Sequence, residues 1–271
     1  MHVPHPTAVA EGAFMAGVLK QASDATVRRH QNGRRARVLR RLVDRRRLDG
    51  WIDLLRLKLD TFPSGRYQPI AALPGRVAKR ADGSVSRWAA IDPVARELGV
   101  RTAVDVGANE GYFSIQLGGS GVTTVALEAA PTNQRTALLA VKRSGLDNVG
   151  VLALELRDDT VEMVPAADCA VFLSLWHHLV RDDGLEAATA ITSRIWSKTA
   201  KVMFFDTGEE EMPASFGLPA MTPDPRTWLE RYLSHACPGS EVRHLGRHPA
   251  FDADGDPCER NLFAVVRLNR G

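Results

Sequence analysis

The residues with the clearest capacity for chemistry form one short run, "VDVGANEGYFS" at 104–114. The apolar stretch Thr102–Val106 enters it like a buried parallel strand, Gly107 and Gly111 bend the chain, and Tyr112 to Leu117 leave with helical character. A strand–turn–helix with glycine at the bend is how open α/β sheets receive nucleotides. Three ligands compete for such a turn. A triphosphate needs a lysine directly after the last glycine, and none follows Gly111. A dinucleotide needs G-x-G-x-x-G, with its pyrophosphate on the helix N-terminus. The spacing here is D-x-G-x-x-x-G, and Asp105 and Glu110 set negative charge where the diphosphate would lie. S-adenosylmethionine (SAM) tolerates those acids, because its ammonium and its sulfur are cationic. The next strand candidate ends in Glu128, 17 residues after Gly111, where a carboxylate can accept hydrogen bonds from both ribose hydroxyls.

"VDVGANEGYFS" followed by "VALEAAP" at 125–131 resembles the class I SAM-dependent methyltransferases and, within them, the FkbM-type enzymes. The resemblance covers roughly residues 100–210 and the C-terminal strands more loosely. It is specific for the cofactor and says little of the acceptor, since many acceptors share this fold. It implies SAM as cofactor and S-adenosylhomocysteine as product. Carried over by position, Gly107 and Gly111 let the cofactor approach the backbone, Asp105 lies near the methionine moiety, and Glu128 holds the ribose. Asn109, Tyr112 and Phe113 belong to the same cofactor-binding set. Asp158 or Asp159, after the third strand, is expected to meet the adenine amino group.

After the fourth strand comes "SLWHHLV" at 174–180, similar to the "LHHL" of several class I subfamilies at the place that faces the transferable methyl. A histidine there can take a proton from a hydroxyl as the methyl arrives, its pKa lying near neutrality. If the segment is still extended, only one of His177 and His178 faces the site. Strand five ends in "FFDTGEEEMP", which places Asp206 within reach of the same cavity. Glu209 to Glu211 follow, yet the strand-four exit offers histidines in place of an aspartate, so no catalytic metal is expected. The run "HPAFDADGDPC" at 248–258 lacks the closing glutamate of a calcium loop and reads as a polar surface loop.

The elements that must position these residues alternate from 102 onward as in a doubly wound sheet. Strands are expected at 102–106, 123–128, 149–156, 169–175 and 201–206, and helices at 111–117, 131–144 and 183–197. A helix over 225–236 and two strand-like runs, 240–248 and 261–268, should end the chain as a hairpin. The fold class is therefore α/β, a Rossmann-like, doubly wound, mostly parallel sheet with an N-terminal helical extension. Residues 1–86 are assigned to that arginine-rich extension and 87–271 to the SAM-binding domain, with a helix over 84–100 leading into the first strand. In the extension, Val38, Leu39, Leu42 and Val43 form one apolar stripe, and "WIDLLRLKL" at 51–59 resumes it. Residues 63–86 are rich in proline and glycine, like a connecting loop. The extension is expected to wall the cofactor cleft, lending Tyr67 or Trp88 to the acceptor pocket beside Trp176.

Composition limits the function classes. With 44% hydrophobic and 25% charged residues, the chain suits a globular protein with a full core. No apolar run reaches the length of a membrane span, and the first twenty residues do not read as a signal peptide. Three widely spaced cysteines, Cys169, Cys237 and Cys258, suggest neither a disulfide framework nor a zinc site, which points to the cytoplasm. Residues 1–60 carry a balance of +7 against −4 for the rest, with ten arginines between 28 and 47. That face could track RNA phosphates, though no RNA-binding module is recognisable, and a solvated surface is the simpler reading. The expected function is methyl transfer from SAM to an oxygen of a small molecule or glycoside. The alternatives are modification of tRNA, guided by the basic helix, and a SAM-fold binding module without turnover.

Overall fold

The computed structural model describes residues 52, 54–55, 67–73, 81–252 and 254–268. The chain divides into two compact units, residues 1–55 and 56–271. The arginine face of 28–47, the stripe at 38–43 and most of 51–59 lie outside the described residues.

In the second unit, α1 (Asp82–Glu97) leads into β1 (Thr102–Val106), α2 (Tyr112–Gly119), β2 (Thr123–Glu128), α3 (Pro131–Ser144) and β3 (Val149–Ala153). Then come β4 (Ala167–Leu173), α4 (Trp176–Ser197), β5 (Thr199–Asp206), α5 (Pro225–Ala236), β6 (Ser240–Phe251) and β7 (Pro257–Arg267). Because α1 begins at Asp82, the domain boundary expected at 86/87 falls inside one helix.

The seven strands form one sheet in the order β3-β2-β1-β4-β5-β7-β6. β1 to β5 pair in parallel, whereas β7 runs antiparallel to both β5 and β6. This is the expected doubly wound sheet with a closing hairpin. Helices cover both faces: α4 and α5 pack with the core around Phe172, Trp176, Phe205 and Phe263, while α1, α2 and α3 lie on the opposite side. Hence Val202 to Phe205 of β5 are all fully buried, the pattern of a strand covered on both faces. The order reverses between β1 and β4, and the crevice at the carboxyl ends of those two strands is where such sheets take their ligands.

Local chemistry sets the helix ends. Pro131 and Pro225 open α3 and α5 with a preset φ, and Asp224 caps α5 by accepting from the Thr227 amide at 2.9 Å. At the other edge, α1 docks on β6. Ser86 Oγ lies 2.8 Å from His248 Nδ1, and a Cβ on Gly83 would stand 2.2 Å from the Pro249 carbonyl oxygen. Gly83→Ala should therefore wedge α1 off the sheet and cost about 1–3 kcal/mol, as overpacking does. The check is a lowered denaturant midpoint with unchanged m-value; an unaltered midpoint would rule out this docking.

Candidate active site

The glycine turn after β1 is fixed by backbone bonds. Gly107 and Ala108 amides both donate to Leu127 O at 2.9 Å, and Gly111 N closes the turn on Ala108 O at 2.9 Å. Gly107 and Gly111 have φ of 74° and 88°, a region that side chains other than glycine's rarely enter. Asn109, at φ 54°, holds this conformation by accepting from the Glu110 amide with its own side chain at 2.8 Å.

The same turn grips Glu128 at the end of β2. Asn109 N donates to Glu128 Oε2 at 2.7 Å and Ala130 N to Oε1 at 2.8 Å. An ionised carboxylate has about four acceptor positions, so one remains on each oxygen for a pair of hydroxyls. Glu128 lines a cavity of about 310 Å³ together with Asn133, Leu154 and Leu156. Beyond it lies a second cavity of about 380 Å³, reached by Asp105, Arg87, His177, Phe216 and Arg260. Gly107, Asn109, Leu173, Ser174 and His178 line both cavities and form their common wall. A wider hollow of about 680 Å³, lined by Glu209, Glu211, His244 and Arg247 among others, touches no part of the glycine turn.

Asp105 projects from β1 with 3% exposure. Its Oδ2 accepts from Ser114 N at 3.0 Å and Ser114 Oγ at 2.6 Å. Burial still pushes its carboxyl up to about 6, against the two Ser114 bonds and with a smaller push from Glu128. A cation placed beside it would restore the charged form.

The second cavity is built around Arg87 and Ser174, both held by Asp206. This fully buried carboxylate forms an ion pair with Arg87 of α1, and its Oδ1 accepts from Ser174 N at 2.6 Å and Oγ at 3.0 Å. Ser174 has φ 53°. Among the described residues it and Asn109 are the non-glycine residues at positive φ, and they stand on the two sides of the β1–β4 crevice. Such strain persists where the surroundings over-determine it, often at functional sites.

α4 begins at Trp176, seven residues before the expected helix, so both histidines sit in its first turn and both line the second cavity. The segment is therefore helical here, and the condition under which only one histidine would face the site is not met. Their ring centroids are 4.3 Å apart, and Phe216 lies 5.8 and 5.7 Å from them. His177 Nδ1 accepts from the Gly208 amide at 2.9 Å and lies 3.2 Å from Thr207 Oγ1. Burial first, then His178, Arg260 and Arg181, push His177 down to about 2. Burial and Arg181 also lower His178, with Asp182 opposing.

The remaining expected site residues divide clearly. Tyr67 and Phe113 line the second cavity. Gly111 and Tyr112 line neither; Tyr112 is buried, and its amide donates to Gln68 Oε1 at 2.8 Å. Asp158 and Asp159 also line neither, both being exposed, with Asp158 paired to Arg194 at 2.7 Å. β3 ends at Ala153, three residues short of the expected end, so Leu154 to Leu156 reach the first cavity in their place. Trp176 is a core residue that donates to Tyr232 OH at 2.7 Å, and Trp88 is half-buried beside Arg87, outside both cavities. Arg87, Gln68, Ser174, Phe216 and Arg260 were missed. For Arg87 a signal existed: with Ser84, Ile91 and Ala95 it occupies the buried stripe of α1, an arginine where an apolar residue is usual.

No family model matches the chain. It is 28% identical over 165 residues to the O-antigen chain terminator bifunctional methyltransferase/kinase WbdD of Escherichia coli, over 58% of this chain and 22% of that protein. The chain thus spans well under half of that relative's length. Its fold matches the crystal structure of WbdD with a TM-score of 0.58 at 22% identity, over 78% of this chain and 46% of that one. EvdMO1 matches with 0.51 at 18% identity, over 88% and 50%. Magnesium protoporphyrin IX methyltransferase (ChlM) of Synechocystis PCC 6803, solved with bound SAM, matches with 0.50 at 13% identity, over 78% and 89%. The fold is that of the class I SAM-dependent methyltransferases.

The raised Asp105 carboxyl has a measurable cost. Its shift from 3.8 to about 6 should destabilise the ligand-free fold by about 3 kcal/mol well above pH 6, at ~1.4 kcal/mol per unit, a cost that fades as pH falls and vanishes only well below 3.8, where both states are protonated. Asp105→Asn should therefore unfold at higher temperature than wild type at pH 7.5, lose most of that gain by pH 4, and bind SAM more weakly. Thermal melts across pH with and without SAM check both signs.

Proposed function

We propose that the protein is a SAM-dependent methyltransferase acting on an oxygen of a small molecule or glycoside. The observation that carries this reading is the pair of cavities with a common wall at Gly107, Asn109, Leu173, Ser174 and His178. One suits a nucleoside and the other an acceptor. The residues fit the cofactor: Glu128 keeps an acceptor position on each oxygen for a ribose, Leu154 and Leu156 offer apolar surface to a base, and Asp105 awaits an ammonium. The FkbM-like form of the turn and the methyltransferase named among the sequence relatives support the same cofactor. A relative named for terminating an O-antigen chain supports a saccharide acceptor.

SAM, when bound, supplies a methyl group on cationic sulfur. The chain's own work is to hold the acceptor in line across the common wall and relieve its hydroxyl of a proton, through the histidine pair at the start of α4. Asp206 acts indirectly, by fixing Ser174 and Arg87. The unpaired, buried Cys169 and Cys237 support a cytoplasmic enzyme. Among the described residues no helix is long and apolar enough to cross a membrane.

Glu128→Ala should weaken SAM binding in calorimetry by at least ~1 kcal/mol, the loss of hydrogen bonds to a charged group; unchanged affinity would sink the ribose assignment. The wild type should also transfer label from methyl-tritiated SAM to material in an extract that resists nuclease. Label lost on nuclease treatment would replace the small-molecule acceptor by RNA.

A further inference from the structure

Resting on the methyltransferase reading, the geometry points to split roles for the adjacent histidines: His177 is a fixed N–H donor to the acceptor, and His178 is the proton acceptor. A backbone amide can only donate, so the nitrogen that faces Gly208 N at 2.9 Å, His177 Nδ1, carries no proton. In the neutral ring the proton is then on Nε2. Burial and the nearby cations keep the ring neutral. Nε2 meets no protein group among the described residues, yet it is not sealed from solvent. His177 lines the acceptor cavity, so this N–H is a donor held ready for a ligand oxygen. It has no lone pair with which to take a proton.

His178 differs in both respects. Neither of its ring nitrogens meets a protein group among the described residues, and it alone of the pair reaches the wall common to both cavities. In the step, the acceptor oxygen bonds to the methyl carbon, the carbon–sulfur electron pair stays with sulfur, and the hydroxyl proton passes to a His178 nitrogen. A bond donated by His177 to that same oxygen would draw electron density from the attacking atom. The Nε2–H of His177 therefore serves another polar atom of the acceptor, within the cavity that both rings line. The charged groups acting on the pair are Arg181 and Asp182 on α4 and Arg260 on β7.

The test uses the full chain labelled with ¹⁵N-histidine, with long-range ¹H–¹⁵N spectra from pH 5.5 to 8.5 assigned through His177→Asn and His178→Asn. His177 should remain the Nε2–H tautomer throughout, while His178 exchanges its proton as pH falls. An Nδ1–H tautomer or a titrating ring for His177 overturns the division. In label transfer from tritiated SAM into an extract, His178→Asn should lower uptake at least tenfold and flatten its pH profile, with SAM affinity unchanged. His177→Asn should lower uptake and keep the profile; the reverse pattern overturns the roles. Failure of the wild type to bind SAM in calorimetry would instead sink the methyltransferase reading, the tautomers being read independently in the same sample.

Discussion

A single carboxylate organises the far side of the β1–β4 crevice. Asp206 is fully buried at the end of β5, where an unpaired charge would be very costly. Its partners come from two other places in the chain, the guanidinium of Arg87 on α1 and the amide and hydroxyl of Ser174 after β4. Each partner therefore joins a different element to β5. Breaking such a buried pair by removing one side typically costs ~3–5 kcal/mol. That exceeds the ~1–3 kcal/mol held in a strained backbone residue, so the bonds of Asp206 can keep Ser174 in its left-handed conformation. The common wall of the two cavities follows from this arrangement.

Charge around the acceptor cavity is otherwise matched inside the protein. Arg87 answers Asp206, Arg260 answers Glu211, and His177 stays neutral. Asp105 departs from the pattern, its hydrogen bonds coming from Ser114 alone among the described residues. A buried acid held by neutral donors is a poor choice for stability and a good one for drawing in a cation. Stability and ligand affinity thus pull in opposite directions at this position.

Much of the sheet was legible in the sequence, because both-face burial gives short, continuous apolar runs bounded by glycine, proline or charge. β1, β2 and α3 stand at their expected limits. The early start of α4 was not legible. "WHHLV" continues the apolar run of β4, and Gly184, at φ 85° inside the helix, cuts off a first piece, Trp176–Asp183, too short to show a helical period. The cofactor motif marked Asp105, Asn109 and Glu128 because a local turn brings them together. The acceptor side was harder to read, since Arg87, Ser174, Phe216 and Arg260 meet only through the tertiary fold. Even the arginine in the apolar stripe of α1 acquires its meaning from Asp206, more than a hundred residues away.

Glu110, the second acid of the glycine turn, serves the chain itself. Its two oxygens accept from the amides of Tyr67 and Gln68 at 3.3 and 2.7 Å, and the Gln68 side chain accepts in turn from Tyr112 N. The turn and the segment before α1 therefore support one another, and linkage of this kind acts in both directions. A boundary drawn at residue 87 would sever that reciprocal clasp, cut α1 in its second turn and remove Tyr67, Gln68 and Ser84 from the second cavity. The compact unit that holds the turn accordingly reaches back past Tyr67, into a region whose loop-like composition gave no hint that the glycine turn leans on it.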